Sequence, residues 1–264
     1  MKRFLSLGAG VQSSTLALMI ARGEVDMVDA AIFSDTKWEP RQVYDWLGWL
    51  EKQLPFPVYR VHRGNLRNDA LTNSNLKGQK FAAIPWYIEK PNGDRSIGKR
   101  QCTFDYKIDP LAKKTRELLG LAPRQRSKGV VCEMFIGISL DEALRMKPSR
   151  ESWKAHRFPL VELNMSRYDC LRWMEKQGYP TPPKSSCIGC PYHSDDEWRA
   201  IKSDPEAWAD ALEVDAAIRN QPGAAGKQFM HRSCVPLEQV DLTTAADHGQ
   251  IDLFNNECEG MCGV

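Results

Sequence analysis

No run of this 264-residue sequence is apolar for the roughly 18 residues that a membrane-spanning helix needs. No secretory signal is legible either, because Gly8, Gly10, Gln12, Ser13 and Ser14 interrupt the first apolar stretch too early. A soluble, cytoplasmic protein with no membrane partner is therefore expected. Charge of one sign is also missing. The net charge is only +2, so no global field draws the chain to nucleic acid, and no nucleic-acid-binding module is evident. Local basic clusters do occur, at Arg60, His62, Arg63 and Arg67, and at Lys147, Arg150, Lys154 and Arg157. Internal repeats and low-complexity segments are absent, which leaves one large globular domain, or a domain with an extension.

Cysteine is plentiful: there are eight. In a cytosolic chain that number points to metal or sulfur chemistry rather than to disulfides. Cys187-Ile-Gly-Cys190-Pro191 places two thiols where both can reach one metal or cluster, with Gly189 easing the backbone around it. A redox dithiol is the weaker reading of that spacing, since no thioredoxin-like strand precedes it. Cys102, in Lys99-Arg-Gln-Cys102, can complete the set. Cys258-Glu-Gly-Met-Cys262 forms a second close pair. Cys132, in an apolar strand, and Cys170, on an amphipathic helix, read as small core residues.

The first segment carries the most information. An apolar strand (Phe4 to Leu7) runs into Gly8-Ala9-Gly10 and then into a hydroxyl-rich helix start at Ser13 and Ser14. Glycines let the backbone turn and approach a ligand, and the unpaired N–H groups of a helix start favour phosphate. The plain alternative is an ordinary strand–turn–helix with a serine cap. Further strands are expected at Val28 to Phe33, Pro57 to Val61 and Gly129 to Ile138, with helices between them, one carrying Val43, Trp46, Leu47 and Leu50. This alternation predicts a doubly wound α/β domain with ligands at the carboxyl ends of the strands. Tyr87 to Ser96 reads as a hairpin on an Asn92-Gly93 type I′ turn. Ser166 with Asp169, and Ser194 with Glu197, read as capping boxes. Trp38 is placed near the ligand mouth. His231 and Arg232 are either an anion clamp or a solvated loop.

Taken in order, these segments resemble the phosphoadenosine-phosphosulfate reductase-like branch of the PP-loop adenine-nucleotide superfamily. Gly8-Ala9-Gly10-Val11-Gln12-Ser13 falls where that family has its Ser-Gly-Gly-x-x-Ser loop. Ser34-Asp35-Thr36 with Glu39 is similar to its Asp-Thr segment, and Cys102 with Lys107 and Pro110-Leu111 to its Cys…Arg-Lys…Pro-Leu element. Gly137 to Arg145, Phe158-Pro-Leu160 and the Cys187/Cys190 pair follow in the family's order. The resemblance implies a Rossmann-like PP-loop domain over 1–165, with a mostly parallel five-stranded sheet, and a helical cysteine-bearing extension over 166–264. It implies an adenine nucleotide, ATP or an adenylyl sulfate, held by Ser6, Gly8, Gly10, Gln12, Ser13, Ser14, Asp35, Thr36 and Gly137, with Lys107 as an anion contact.

Two departures shape the functional expectation. Gln101 replaces the first of the reductases' paired cysteines, and the remaining set resembles that of the iron–sulfur enzymes that thiolate tRNA and DNA. A 4Fe–4S cluster on Cys102, Cys187 and Cys190 is then implied, with Cys258 or Cys262 as fourth ligand and zinc as the alternative. Sulfur transfer to a nucleic acid or small acceptor, from a sulfur donor, is the leading expectation. Val11 and Gln12, which stand where ATP-cleaving loops have Lys-Asp, weigh against it. The tail Glu257-Cys258-Glu259-Gly260 is similar to the one in which sulfonucleotide reductases carry a nucleophilic cysteine. That supports the second expectation, reduction of an adenylyl sulfate by Cys258 with a thioredoxin-like reductant. A non-enzymatic sensor that binds nucleotide and cluster is the third.

Overall fold

The computed structural model describes residues 1–72, 84–122, 125–244 and 247. Cys258 and Cys262 lie outside them. The described strands are β1 (Lys2–Leu7), β2 (Ala30–Ser34), β3 (Val58–Val61), β4 (Tyr87–Glu89), β5 (Arg95–Ile97), β6 (Cys132–Ile136), β7 (Lys154–Arg157) and β8 (Lys227–Phe229). The helices are α1 (Val11–Ala21), α2 (Arg41–Glu51), α3 (Leu66–Thr72), α4 (Asp109–Leu118), α5 (Pro159–Glu162), α6 (Arg167–Lys176), α7 (Asp195–Lys202) and α8 (Pro205–Ile218).

Strands β3-β2-β1-β6-β7 form one sheet in that order, and every pairing in it is parallel. The near-continuous apolar runs follow from burial on both faces. Leu5, Leu7, Ala31, Phe33 and Phe135 meet α1, α2 and α6 on one side. Phe4, Ala30, Ile32, Cys132, Met134 and Ile136 face the other side, where Leu111 of α4 packs. The alternation is the period of 2 that a strand imposes. Helix α1 is buried nearly all round because it is wedged between the sheet and its helical neighbours, and it begins at Val11, ahead of the hydroxyls at Ser13 and Ser14. β7 was not expected: Lys-Ala-His-Arg carries no apolar alternation.

Beyond residue 165 the chain continues as helices. Cys170 and Met174 of α6 join the core around α1, while α7 and α8 build a second core with Trp38, Leu66, Ile84, Trp86 and Tyr106. Strand β8 adds to the β4–β5 hairpin, giving an antiparallel sheet in the order β5-β4-β8. The extension is thereby tied to the insertion between β3 and β6. Both expected capping boxes are present, at Ser166–Asp169 and Ser194–Glu197. The hairpin turn differs from expectation. Only Gly93 has a positive φ, +84°, and the Lys90 N–H reaches the Asp94 carbonyl at 2.9 Å. Pro91-Asn92-Gly93 is a three-residue loop with glycine in the left-handed position, as suits a proline at the first loop residue.

Candidate active site

The strand order places a topological switch point between β1 and β6, since the chain winds from β1 to β2 and β3 on one side and returns to β6 on the other. Ligands of such sheets bind in the crevice outside the carboxyl ends at that point. A cleft of about 760 Å³ opens there, lined by Ser6, Gly8, Gly10, Gln12 and Ser13 after β1, Ser34 at the end of β2, and Gly137 after β6. That volume is within the usual range for small-molecule sites.

Close packing under the β1 loop explains Gly137. A Cβ there would stand 2.8 Å from both the nitrogen and the Cα of Ser13, so only glycine lets the two loops touch. The left-handed residue of the β1 loop is Ala9, φ +58° and fully buried, rather than either glycine. Gly8 and Gly10 instead line the cleft. The Ser13 hydroxyl accepts from the Gly8 N–H at 3.1 Å and donates to the Gly10 carbonyl at 3.3 Å. Gln12 ties three segments together. Its amide NH2 donates to Ser139 and Glu142 at 3.4 and 3.2 Å, and its carbonyl accepts from Arg167 at 3.1 Å.

Three expected ligand residues face elsewhere. Ser14 is buried, and its hydroxyl accepts from the Trp46 indole at 2.9 Å. Asp35 accepts from the Lys37 N–H and the Tyr44 hydroxyl at 2.7 and 2.9 Å and pairs with the Lys37 ammonium. Thr36 lines a neighbouring chamber, described below. Each partner is supplied by tertiary packing that motif position alone does not reveal.

The cleft is cationic although the whole chain is nearly neutral. Arg100, Lys107, Arg145, Lys147, Arg150, Lys154, Arg167 and Lys184 line it, against Asp109, Glu142 and Glu151. Part of this was legible: Lys147, Arg150 and Lys154 are one of the basic clusters of the sequence. The other cluster does not reach the cleft, since Arg60, Arg63 and Arg67 pair with Glu51, Asp105 and Asp210. Arg145, Arg167 and Lys184 were missed; Lys184 precedes Ser185, which closes over Gly10. Lys107 sits in a π-helical turn, Phe104–Ile108, that leads into α4. Such turns recur at functional sites because the extra residue re-aims side chains and frees a carbonyl. Here the Lys107 carbonyl accepts from the Ser34 hydroxyl at 2.8 Å.

Cys102, Cys187 and Cys190 line a second, smaller chamber of about 40 Å³. Arg100, Thr103 and Lys107 belong to both chamber and cleft. The Cys187 loop is pressed onto Trp38: the Ile188 N–H donates to the Trp38 carbonyl at 2.8 Å, and a Cβ on Gly189 would lie 2.0 Å from the indole. His193 Nε2 holds the Cys187 and Ile188 carbonyls at 3.0 and 3.2 Å. The Cys187 thiol donates toward Thr36 Oγ1 at 3.3 Å and Glu39 Oε1 at 3.5 Å. Burial, reinforced by the Glu39 carboxylate, pushes that thiol well above its ordinary pKa. Glu39 Oε2 is itself buried with no hydrogen-bond partner among the described residues, and Lys107 Nζ lies 3.7 Å from Oε1.

A metal centre needs thiolates converging on one point. Among the described residues no three Cys, His, Asp or Glu side chains are so placed. Cys187 instead directs its thiol at Thr36 and Glu39. Cys102, Cys187 and Cys190, expected together from the sequence, do line one chamber. Trp38 lines this chamber rather than the cleft, its indole donating to Asp210 at 2.6 Å. His231 and Arg232 both bind Asp195 at the start of α7, which gives them a structural role.

No family model and no curated protein matches the sequence. Among solved structures, the fold is similar to that of phosphoadenylyl-sulfate (PAPS) reductase from Candida auris in its phosphate complex. The two share 15% identity with a TM-score of 0.44, over 69% of this chain and 75% of the other. No described helix is long and apolar enough to cross a membrane.

Proposed function

We propose that this protein is an enzyme that binds an adenylyl sulfate, with or without a 3′-phosphate, and reduces its sulfonate to sulfite with thiols. One observation carries the reading: a thiol-lined chamber shares Arg100, Thr103 and Lys107 with a cationic cleft at the switch point of a parallel sheet. The cleft supplies what a nucleotide anion needs, namely the backbone at Gly8 and Gly10, the Ser13 hydroxyl, Gly137 beneath, and Lys107 beside the reacting end.

The reaction balances in two steps. A thiolate attacks the sulfonate sulfur, the sulfur–oxygen bond to the nucleotide breaks, and AMP or its 3′-phosphate leaves, with an S-sulfocysteine remaining. A second thiol attacks the cysteine sulfur, sulfite leaves with the bonding pair, and a disulfide is formed. An external dithiol, thioredoxin-like, restores the thiols. Cys258 is assigned to the first attack, on the Glu257-Cys258-Glu259-Gly260 segment.

ATP-dependent sulfur transfer to a nucleic acid or small acceptor is the alternative reading; it would need a cluster on Cys102, Cys187 and Cys190, and no three ligating side chains converge among the described residues. The test measures sulfite from adenylyl sulfate and from its 3′-phosphorylated form with a dithiol reductant, beside AMP and pyrophosphate from ATP. Sulfite that disappears in Cys258→Ser is expected. Cleavage of ATP with no sulfite from either sulfonucleotide would overturn the reading.

A further inference from the structure

The cations of the cleft are not all at one end of it, and strand register sets the scale. Gly137, under the β1 loop, follows β6, whose first residue, Cys132, pairs with Lys154. At about 3.3 Å per residue, Lys154 is roughly 17 Å back along the sheet from Gly137. His156 pairs with Met134 and is roughly 10 Å back. Residues in register on neighbouring strands share a face of the sheet. Lys154 and His156 therefore stand on the face of Met134 and Ile136, the apolar floor of the cleft. Helix α4 packs over β2 and β3, which leaves that floor to the cleft. Charge at the far end is unbalanced. Lys147, Arg150 and Lys154 line it, with Glu151 as the carboxylate. Lys154 is buried and takes Glu151 for itself, at 2.8 Å. Lys147 and Arg150 are exposed and pair with no carboxylate among the described residues. The turn that carries them is held by neutral bonds: His156 Nδ1 donates to the Lys147 carbonyl at 2.9 Å, and the Ser149 hydroxyl to the Glu151 carbonyl at 3.1 Å. Like charges gathered in this way repel one another unless an anion answers them.

We propose that the cleft has a second oxyanion site, at Lys147, Arg150 and Lys154, which takes a phosphate group while the β1 loop holds another anion. Arg150 offers a planar fork of donors, and the two lysines offer point charges, so a tetrahedral dianion suits the set. The apolar floor of Met134 and Ile136 lies between the two poles, where a ring or sugar can rest without losing hydrogen bonds. The phosphate comes either on the nucleotide itself, as a ribose phosphate, or as free inorganic phosphate; the recognition chemistry is the same. The site rests on the nucleotide reading for what fills the first pole, and it stands apart from sulfonate reduction.

Titration calorimetry on the full chain, in low salt without phosphate, compares adenosine 5′-monophosphate with adenosine 3′,5′-bisphosphate. A third titration adds inorganic phosphate to protein saturated with the monophosphate. The bisphosphate should bind about tenfold or more tighter than the monophosphate, or inorganic phosphate should bind the saturated protein. The first result identifies a ribose phosphate as the occupant, the second a free oxyanion. Either gain should vanish in the double variant Lys147→Ala/Arg150→Ala, with the monophosphate affinity and the urea midpoint kept. Lys107→Ala should do the reverse, weakening the monophosphate and keeping the gain. Equal affinities with no phosphate bound to the saturated protein would overturn the proposal, as would a gain that survives the double variant. If the monophosphate itself does not bind, inorganic phosphate is titrated into the bare protein. Binding lost in the double variant then supports the site, and binding that is absent or unchanged overturns it. Failure to produce sulfite with the gain intact would count against the reductase reading alone.

Discussion

Gly137 shows how a single hydrogen in place of a methyl can set a site. Its would-be Cβ meets backbone atoms of Ser13, which cannot swing aside like a side chain. Gly137→Ala should therefore displace the β1 loop and weaken adenine-nucleotide binding about tenfold or more, read by titration calorimetry. Gly48→Ala is the control. It lies inside α2 with open space around it and should stabilise the fold by about 0.5–1 kcal/mol in urea unfolding. Gly137 was legible because its role depends on a loop it must follow in any such sheet. Gly189 was only half legible: the sequence suggests an eased turn, whereas the cause is Trp38, about 150 residues earlier. His156 adds a pH dependence. Burial lowers its pKa, with the Lys147 carbonyl bond opposing. The unfolded chain thus binds the extra proton first, so stability falls as pH drops from about 6.5 through the folded value. His156→Gln should flatten that slope in urea midpoints measured between pH 7 and 5.

At the scale of elements, what could be read was what depends on neighbours three or four residues away. The capping boxes are of this kind. Ser194 accepts from the Glu197 N–H, and Glu197 returns a bond to the Ser194 N–H at 2.8 Å. Ser194→Ala should cost about 1 kcal/mol of stability, and because α7 follows the Cys187–Cys190 loop, it should also speed alkylation of Cys187. A fall in the urea midpoint with no change in that rate would mean that the loop is held by His193 and Trp38 alone. Elements built on distant partners stayed hidden. β7 forms from Lys-Ala-His-Arg only because β6 offers a free edge, and its Lys154 is buried against Glu151 at 2.8 Å. β8 is three residues that exist as a strand through β4. The π-helical turn at Phe104–Ile108 uses residues that an α-helix would also accept, so nothing in their types distinguishes the two.

For the whole molecule, the informative quantity is where the charge is rather than how much there is. A net charge of +2 is what the composition yields, yet folding gathers eight Lys and Arg side chains on one cleft against three carboxylates. Others are spent in pairs such as Arg60–Glu51 and Arg157–Asp26. Sequence order could not reveal this, because the cleft cations come from the Cys102 segment, the turn after β6, β7, α6 and the Cys187 loop. Such a field acts on anions over about a Debye length, near 10 Å at 0.1 M salt and 3 Å at 1 M. Affinity for an adenylyl sulfate or ATP should therefore weaken by about tenfold between 0.05 and 0.5 M sodium chloride, whereas adenosine, with no charge to attract, should bind with little change. The ratio of the two salt slopes separates the cationic cleft from the ring-binding surface in one calorimetric series. Lys107→Ala should reduce the anion's slope and leave that of adenosine alone. Equal slopes for both ligands would show that the gathered cations are balanced by solvent ions and do not hold the nucleotide.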